Sequence, residues 1–264
     1  MEGNNVCLSQ GRCETEDMGM SKEIRIQNSR FKIQNAEVAF SRSTVYELLS
    51  HCYGEPGTEF LDFIKNGEFF EHMTKSLRFH PELKDGILQS LYTLIDETMR
   101  MEINDLLEEY CFIVSPEKNL LYEGNYLHPF NSYEEMADIA GFYRAFGFDF
   151  DGERPDHLSL ELEFMRILSL KEAMALQEGD QEKLDVTTNA ERKFLSSHIG
   201  RWTEALLQMT KDIPFYSTLS RLLKEWIEME CDLYSVKIDR IFYFNRPNEN
   251  DKELCLKEGS DERF

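Results

Sequence analysis

Glycine and proline are scarce in this chain, at 14 and 7 of 264 residues. An all-β sandwich needs turn residues every ten positions or so, and their shortage excludes it. Basic residues are also few: 29 lysines and arginines stand against 50 aspartates and glutamates, for a formal charge of −21. The deficit lies in the body, since residues 36–244 carry 39 acids and 20 bases. Such a body repels phosphate backbones, which argues against nucleic acid and favours a cationic partner. No apolar run approaches the eighteen or so residues of a membrane span. The first ten residues lack the basic and apolar regions of a secretory signal, so a cytoplasmic location is expected. Six cysteines, Cys7, Cys13, Cys52, Cys111, Cys231 and Cys255, include no C-x-x-C pair and read as reduced thiols.

What is present is core material. Hydrophobic residues make up 41%, with 19 Phe, 11 Tyr and 2 Trp, enough for one large domain or two smaller ones. Residues 1–35 have no apolar period and read as a flexible leader, and 245–264 read as an acidic polar tail. Between them the spacing predicts helices. Val38, Val45, Leu48, Leu49 and Cys52 share a face of the first, stopped at Gly54-Glu-Pro-Gly57. Short helices follow around Phe60–Ile64 and Phe69–Phe79, then two more between Pro81 and Val114, parting near Met99–Asn104. The pattern lapses over 115–131, resumes at Tyr133–Phe146, lapses again over 147–155, and resumes from Asp156 to about Leu176. One helix is expected over Gln181–Lys211, and Pro214 opens the last, ending near Val236. The expected fold is all-α, a single helical-bundle domain over 36–244 with hinge-like loops at 115–131 and 147–155.

Chemistry is sparsely signalled. Phosphate-loop, dinucleotide and nucleophile-elbow motifs are missing. The most informative stretch is Arg154-Pro-Asp-His-Leu-Ser-Leu-Glu-Leu-Glu-Phe-Met165. Pro155 disfavours helix before it, and Asp156 is placed to cap a helix by accepting from the amide of Leu158 or Ser159. His157 and Glu161 stack one turn apart, with Glu161 in the middle of an apolar face. A buried carboxylate there needs a partner, either His157 or a group from another helix. A His–Glu pair could alternatively ligate zinc, but a catalytic site needs a third ligand and the sequence signals none. His198 shares an apolar face with Phe194 and Trp202 and reads as a core histidine bonded to a backbone carbonyl. Residues 96–117 hold seven acids and one base, and 147–163 hold six and one. These are solvated faces, or else the negative rim of an apolar groove suited to a peptide carrying arginines and a hydrophobic stretch.

These residues resemble the TorD/DmsD/NarJ chaperones that mature redox enzymes, mostly molybdoenzymes. Pro155-Asp-His-Leu-Ser-Leu-Glu-Leu-Glu-Phe-Met165 is similar to the family's P-D-H-[IL]-x-x-E-L-x-F-M element. Tyr143-Arg-Ala-Phe-Gly147, Phe194-x-x-x-His198-x-x-x-Trp202 and Pro214-Phe-Tyr216 resemble its flanking elements in order. Glu109-Tyr-Cys-Phe-Ile113 only approximates the family's E-Y-x-x-L-F, and Pro129-Phe-Asn-Ser-Tyr133 is one residue short of its P-[WY]-x-S-x-Y loop. The resemblance spans about residues 40–235. It implies a cytoplasmic chaperone, not an enzyme and without a cofactor of its own. As a monomer or homodimer it would bind the twin-arginine signal peptide or the apo form of a molybdenum-cofactor oxidoreductase subunit. The client-binding residues it implies are Tyr110, Phe112, Pro129, Ser132, Tyr143, Pro155, Asp156, His157 and Glu161. The rival readings are a helical metal-dependent hydrolase built on His157 and Glu161, and a structural assembly subunit.

Overall fold

A computed structural model describes residues 35–241 other than 128, 151 and 153, and of residues 129–131 only the course of the backbone. The leader and tail expectations fall outside the described residues, apart from Asn35. Ten α-helices make up the described chain: α1 Ala36–Cys52, α2 Thr58–Lys65, α3 Glu68–Leu77, α4 Asp85–Thr98, α5 Ile103–Val114, α6 Pro129–Phe146, α7 Leu158–Glu178, α8 Gln181–Ser197, α9 Ile199–Thr210 and α10 Pro214–Tyr234. Among the described residues there is no strand, only an isolated antiparallel bridge between Tyr122 and His157. The fold is all-α, as the periodicity predicts.

Local chemistry explains most boundaries. Asn35 accepts from the Glu37 amide at 2.9 Å to start α1, and Asp180 accepts from Lys183 at 3.0 Å to start α8. Glu102 and Asp105 form a reciprocal capping box at α5, and Pro214 sits in the first turn of α10. Two boundaries depart from the sequence expectation. Helix α6 begins at Pro129 and not at Tyr133, because proline is accepted at a first helical position. The single helix expected over 181–211 is two, broken at His198. At that break Gly200 comes so close to the carbonyl oxygen of Leu195 that a side chain would collide with it.

Helix α1 lies along α7, and α10 packs on α4 and α9. Tyr46 and Leu49 of α1, Leu162 and Leu168 of α7, and Leu223 and Trp226 of α10 are buried in one continuous core. An aromatic group closes the α6–α7–α8 end. Phe164 stands 4.9 Å from both Tyr143 and Phe194, centroid to centroid. This packing presents the 155–161 element against the turn that precedes α6.

Candidate functional site

The stretch from Arg154 to Glu161 is anchored by backbone on one side and by charge on the other. The Leu158 amide donates to the Leu121 carbonyl at 2.8 Å, and the Glu123 amide to the Asp156 carbonyl at 3.0 Å. Tyr143 donates its hydroxyl to the Pro155 carbonyl at 2.9 Å. Asp156 is buried, 1% exposed, and Arg154 grips its carboxylate with Nε and Nη2 at 2.9 and 2.6 Å. The same carboxylate accepts from the Gly124 amide at 2.9 Å. A Cβ on Gly124 would meet that oxygen at 2.9 Å, so only glycine permits the approach.

Asp156 is therefore not the helix cap. His157 is the N-cap of α7: its Nδ1 accepts from the Ser159 amide at 3.2 Å and lies 2.8 Å from Ser159 Oγ. The Asp156 carboxylate turns away because a guanidinium and a buried amide compete for it. The His157 ring packs edge-on against Tyr122 at 4.9 Å, and Arg154 lies over the same Tyr122 ring at 4.2 Å. Burial lowers the His157 pKa to about 4.

Glu161 does not bond His157 either. It is fully buried and accepts from the indole of Trp202 at 3.4 Å. Burial, then the carboxylates of Glu123 and Asp156, raise its pKa well above the ordinary carboxylate range, and its carboxyl group is hydrogen-bonded to that of Glu123. The His157–Glu161 pair that a hydrolase would need is thus not assembled.

A cluster invisible in sequence lies behind this element. His198 is completely buried and reaches side chains, not a backbone carbonyl: Nδ1 is 3.2 Å from Glu123 Oε2, and Nε2 is 3.1 Å from Asp138 Oδ2. Glu135 Oε2 lies 3.8 Å from the same Nδ1, while Glu135 Oε1 accepts from Arg201 at 2.8 Å. Burial would lower the His198 pKa, but Glu123, Glu135 and Asp138 outweigh it and raise it. The expected carbonyl partner is replaced because three elements, the 123–126 turn, α6 and the α8–α9 break, converge on the ring.

The other nominated residues scatter. Tyr110 is half-buried on α5, Phe112 is exposed with Lys118 Nζ 4.9 Å from its ring centre, and Ser132 is half-buried near Gly124. Tyr143 and Pro155 are buried. The side chain of Pro129 lies outside the described residues. Three acids of the two acidic segments do not face solvent as a rim would. Asp156 and Glu161 point inward, and Glu109 accepts from the Phe215 amide at 3.0 Å, capping α10 from across the core. An apolar groove with a negative edge does occur elsewhere, at the α1–α2 corner beside the start of α7. Its volume is about 620 Å³, and Phe60, Phe63, Glu55, Glu59, His51 and Ser159 line it. Ser50 donates to the Ser159 carbonyl at 2.9 Å, which fixes this groove to the residue that meets the His157 cap.

Two comparisons bear on this arrangement. A family model described as the nitrate reductase delta subunit matches residues 80–208, which include the anchored loop, α6, α7 and the His198 cluster. The perchlorate reductase assembly chaperone protein of Dechloromonas aromatica (strain RCB) is 28% identical over 185 residues, covering 66% of this chain and 80% of that protein.

Proposed function

We propose that this chain is a redox-enzyme maturation chaperone of the kind that the nitrate reductase delta-subunit model and the perchlorate reductase assembly chaperone represent, and on that premise we infer how it acts. It is an assembly chaperone for a molybdoenzyme. In the proposal it works in the cytoplasm and binds the twin-arginine signal peptide or the apo catalytic subunit of its client, holding it until the cofactor is inserted. It performs no catalysis of its own. The observation that carries the reading is the family match across residues 80–208, which spans the anchored Pro155–Met165 element.

The structure suggests a division of labour. Pro155, Asp156, Tyr143 and Glu161 are buried and act as the scaffold that holds the element in place. Client contact falls to surfaces that can be reached: the groove of Phe60, Phe63, Glu55 and Glu59, the half-exposed His157, and Phe112 with Tyr110. A peptide with paired arginines would place its cations on the acidic edge and its apolar run on the phenylalanines. Titration of a labelled twin-arginine peptide into the full chain, beside the same peptide with both arginines replaced by glutamine, tests this. Tighter binding of the arginine peptide at low salt is expected, converging with the other at high salt. Equal affinity at low salt would remove the signal-peptide reading. Capture of the apo subunit without its signal would then make the mature chain the client.

A further inference from the structure

The His198 cluster has the composition and spacing of a metal site. His198 Nδ1, a carboxylate oxygen of Glu123 and one of Glu135 all lie within 4.8 Å of one another. Two of the separations are 3.2 and 3.8 Å. Ligand atoms about 2.0–2.2 Å from a zinc ion stand about 3.3 Å apart in a tetrahedral shell, so a cation fits with small side-chain adjustment. One imidazole with two carboxylates is a donor set suited to zinc and its divalent neighbours, and unsuited to soft monovalent ions.

Two further observations point to a ligand. Glu123 is completely buried, and no N–H or hydroxyl of the described residues reaches its second oxygen, Oε1; its carboxyl group meets that of Glu161, whose own Oε1 also lacks such a donor, so two buried acids face each other with no cation between them. Buried carboxylate oxygens are costly to leave unsatisfied, and a cation accepts them where no N–H or O–H reaches. The surroundings also match those of a held metal. The far nitrogen of His198 meets Asp138, giving the carboxylate–histidine–metal arrangement, and Arg201 steadies the outer oxygen of Glu135. Glu135 and Asp138 are 23% and 62% exposed, which leaves a route in from solvent.

We propose that Glu123, Glu135 and His198 bind one divalent transition-metal ion, zinc being the reference case, with Asp138 as a positioning residue on the imidazole. The ion would tie the 123–126 turn to α6 and to the α8–α9 junction. Because the Glu123 amide and Gly124 amide both hold Asp156, the metal would stiffen the Pro155–Met165 element from behind. Its role is structural or regulatory, distinct from the client contacts.

The test uses the full chain stripped with chelator and then titrated with Zn2+ alone, followed by calorimetry and by thermal melting. One equivalent bound at micromolar or tighter affinity, with a rise in Tm that saturates at that equivalent, is expected. Glu135→Gln keeps the acceptor for Arg201 but removes a ligand charge, and Asp138→Asn alters only the outer shell. Each is expected to weaken Zn2+ at least tenfold while circular dichroism stays helical. No stoichiometric binding in the parent would overturn the proposal and leave a proton as the occupant. Unchanged affinity in Glu135→Gln would overturn it by placing the metal on other histidines. Since no client is present in these measurements, their failure is separate from failure of the chaperone reading.

Discussion

Asp156 and Arg154 illustrate how one residue's surroundings override its local propensity. An aspartate after proline and before an apolar helical run reads as a cap, and asparagine would then replace it at little cost. In the folded chain it is instead the buried end of a charge pair whose other member is 34% exposed. The two partners are therefore unequal. Arg154→Ala leaves a buried carboxylate with only the Gly124 amide, and a loss of about 3 kcal/mol is expected. Asp156→Asn keeps one acceptor and frees a guanidinium that water can solvate, so about 1–2 kcal/mol is expected. Urea denaturation of both variants checks the order, and a larger loss in Asp156→Asn would contradict it. Gly124→Ala adds a carbon 2.9 Å from Asp156 Oδ2 and 3.2 Å from Ser132 Cβ. Overpacking of this kind costs about 1–3 kcal/mol, and protection of the Gly124–Asp156 loop should fall in amide exchange. Sequence pattern could mark Asp156 as special but not say why, because its partner amide is 32 positions away.

Helix positions were largely legible, since Gly54, Pro56, Gly57, Gly67 and Pro214 punctuate the chain at the observed breaks. What holds the helices to one another was not. Arg42 of α1 is buried among Glu172 of α7, Glu191 of α8 and Glu230 of α10, at 3.0 Å from Glu191 and 2.7 Å from Glu230. Tyr234 donates to Glu191 at 2.6 Å, and His80 Nε2 lies 3.1 Å from Glu230. Arg42, the three glutamates and Tyr234 sit on four different helices and His80 in the connection after α3, and only the fold brings them together. One guanidinium cannot match three carboxylates. Burial, then Glu191, pushes the Glu172 pKa up to about 8, whereas Arg42 and His80 overcome burial to lower Glu230 to about 2. The signs follow by linkage. From its ordinary 4.5 to about 8, folded Glu172 keeps a proton that the unfolded chain has released, so its contribution is full below 4.5 and is lost as pH rises through 8. Glu230 acts oppositely: its contribution is present above 4.5 and is lost as pH falls through about 2. Glu172→Gln should therefore remove part of the fall in stability between pH 5 and 8, seen as a flatter profile than the parent. Parallel profiles would show that Glu172 does not carry the proton.

At the scale of the molecule the excess of acid sets how a client arrives more than how tightly it stays. A net charge of −21 attracts a cationic segment over about a Debye length, roughly 8–10 Å at physiological salt, and apolar contact then decides its residence. The groove at the α1–α2 corner puts both parts in one place, with Glu55 and Glu59 exposed and Phe60 and Phe63 half-buried. Exposed carboxylates contribute little to folding, so Glu55→Gln combined with Glu59→Gln should change stability by less than about 0.5 kcal/mol. Rim charges are worth about 0.2–1 kcal/mol each against a cation, so loss of two should weaken binding of a twin-arginine peptide by about two- to thirtyfold. The change should appear in the association rate, and the salt dependence of that rate should flatten. Phe60→Ala acts on the other term. It should leave association near the parent value and speed dissociation, because the lost area lies under the apolar part of the peptide. Stopped-flow measurement separates the two effects. If the double glutamine variant keeps both its association rate and its salt slope, the cationic end of the client binds elsewhere, and the acidity of this corner serves solubility alone.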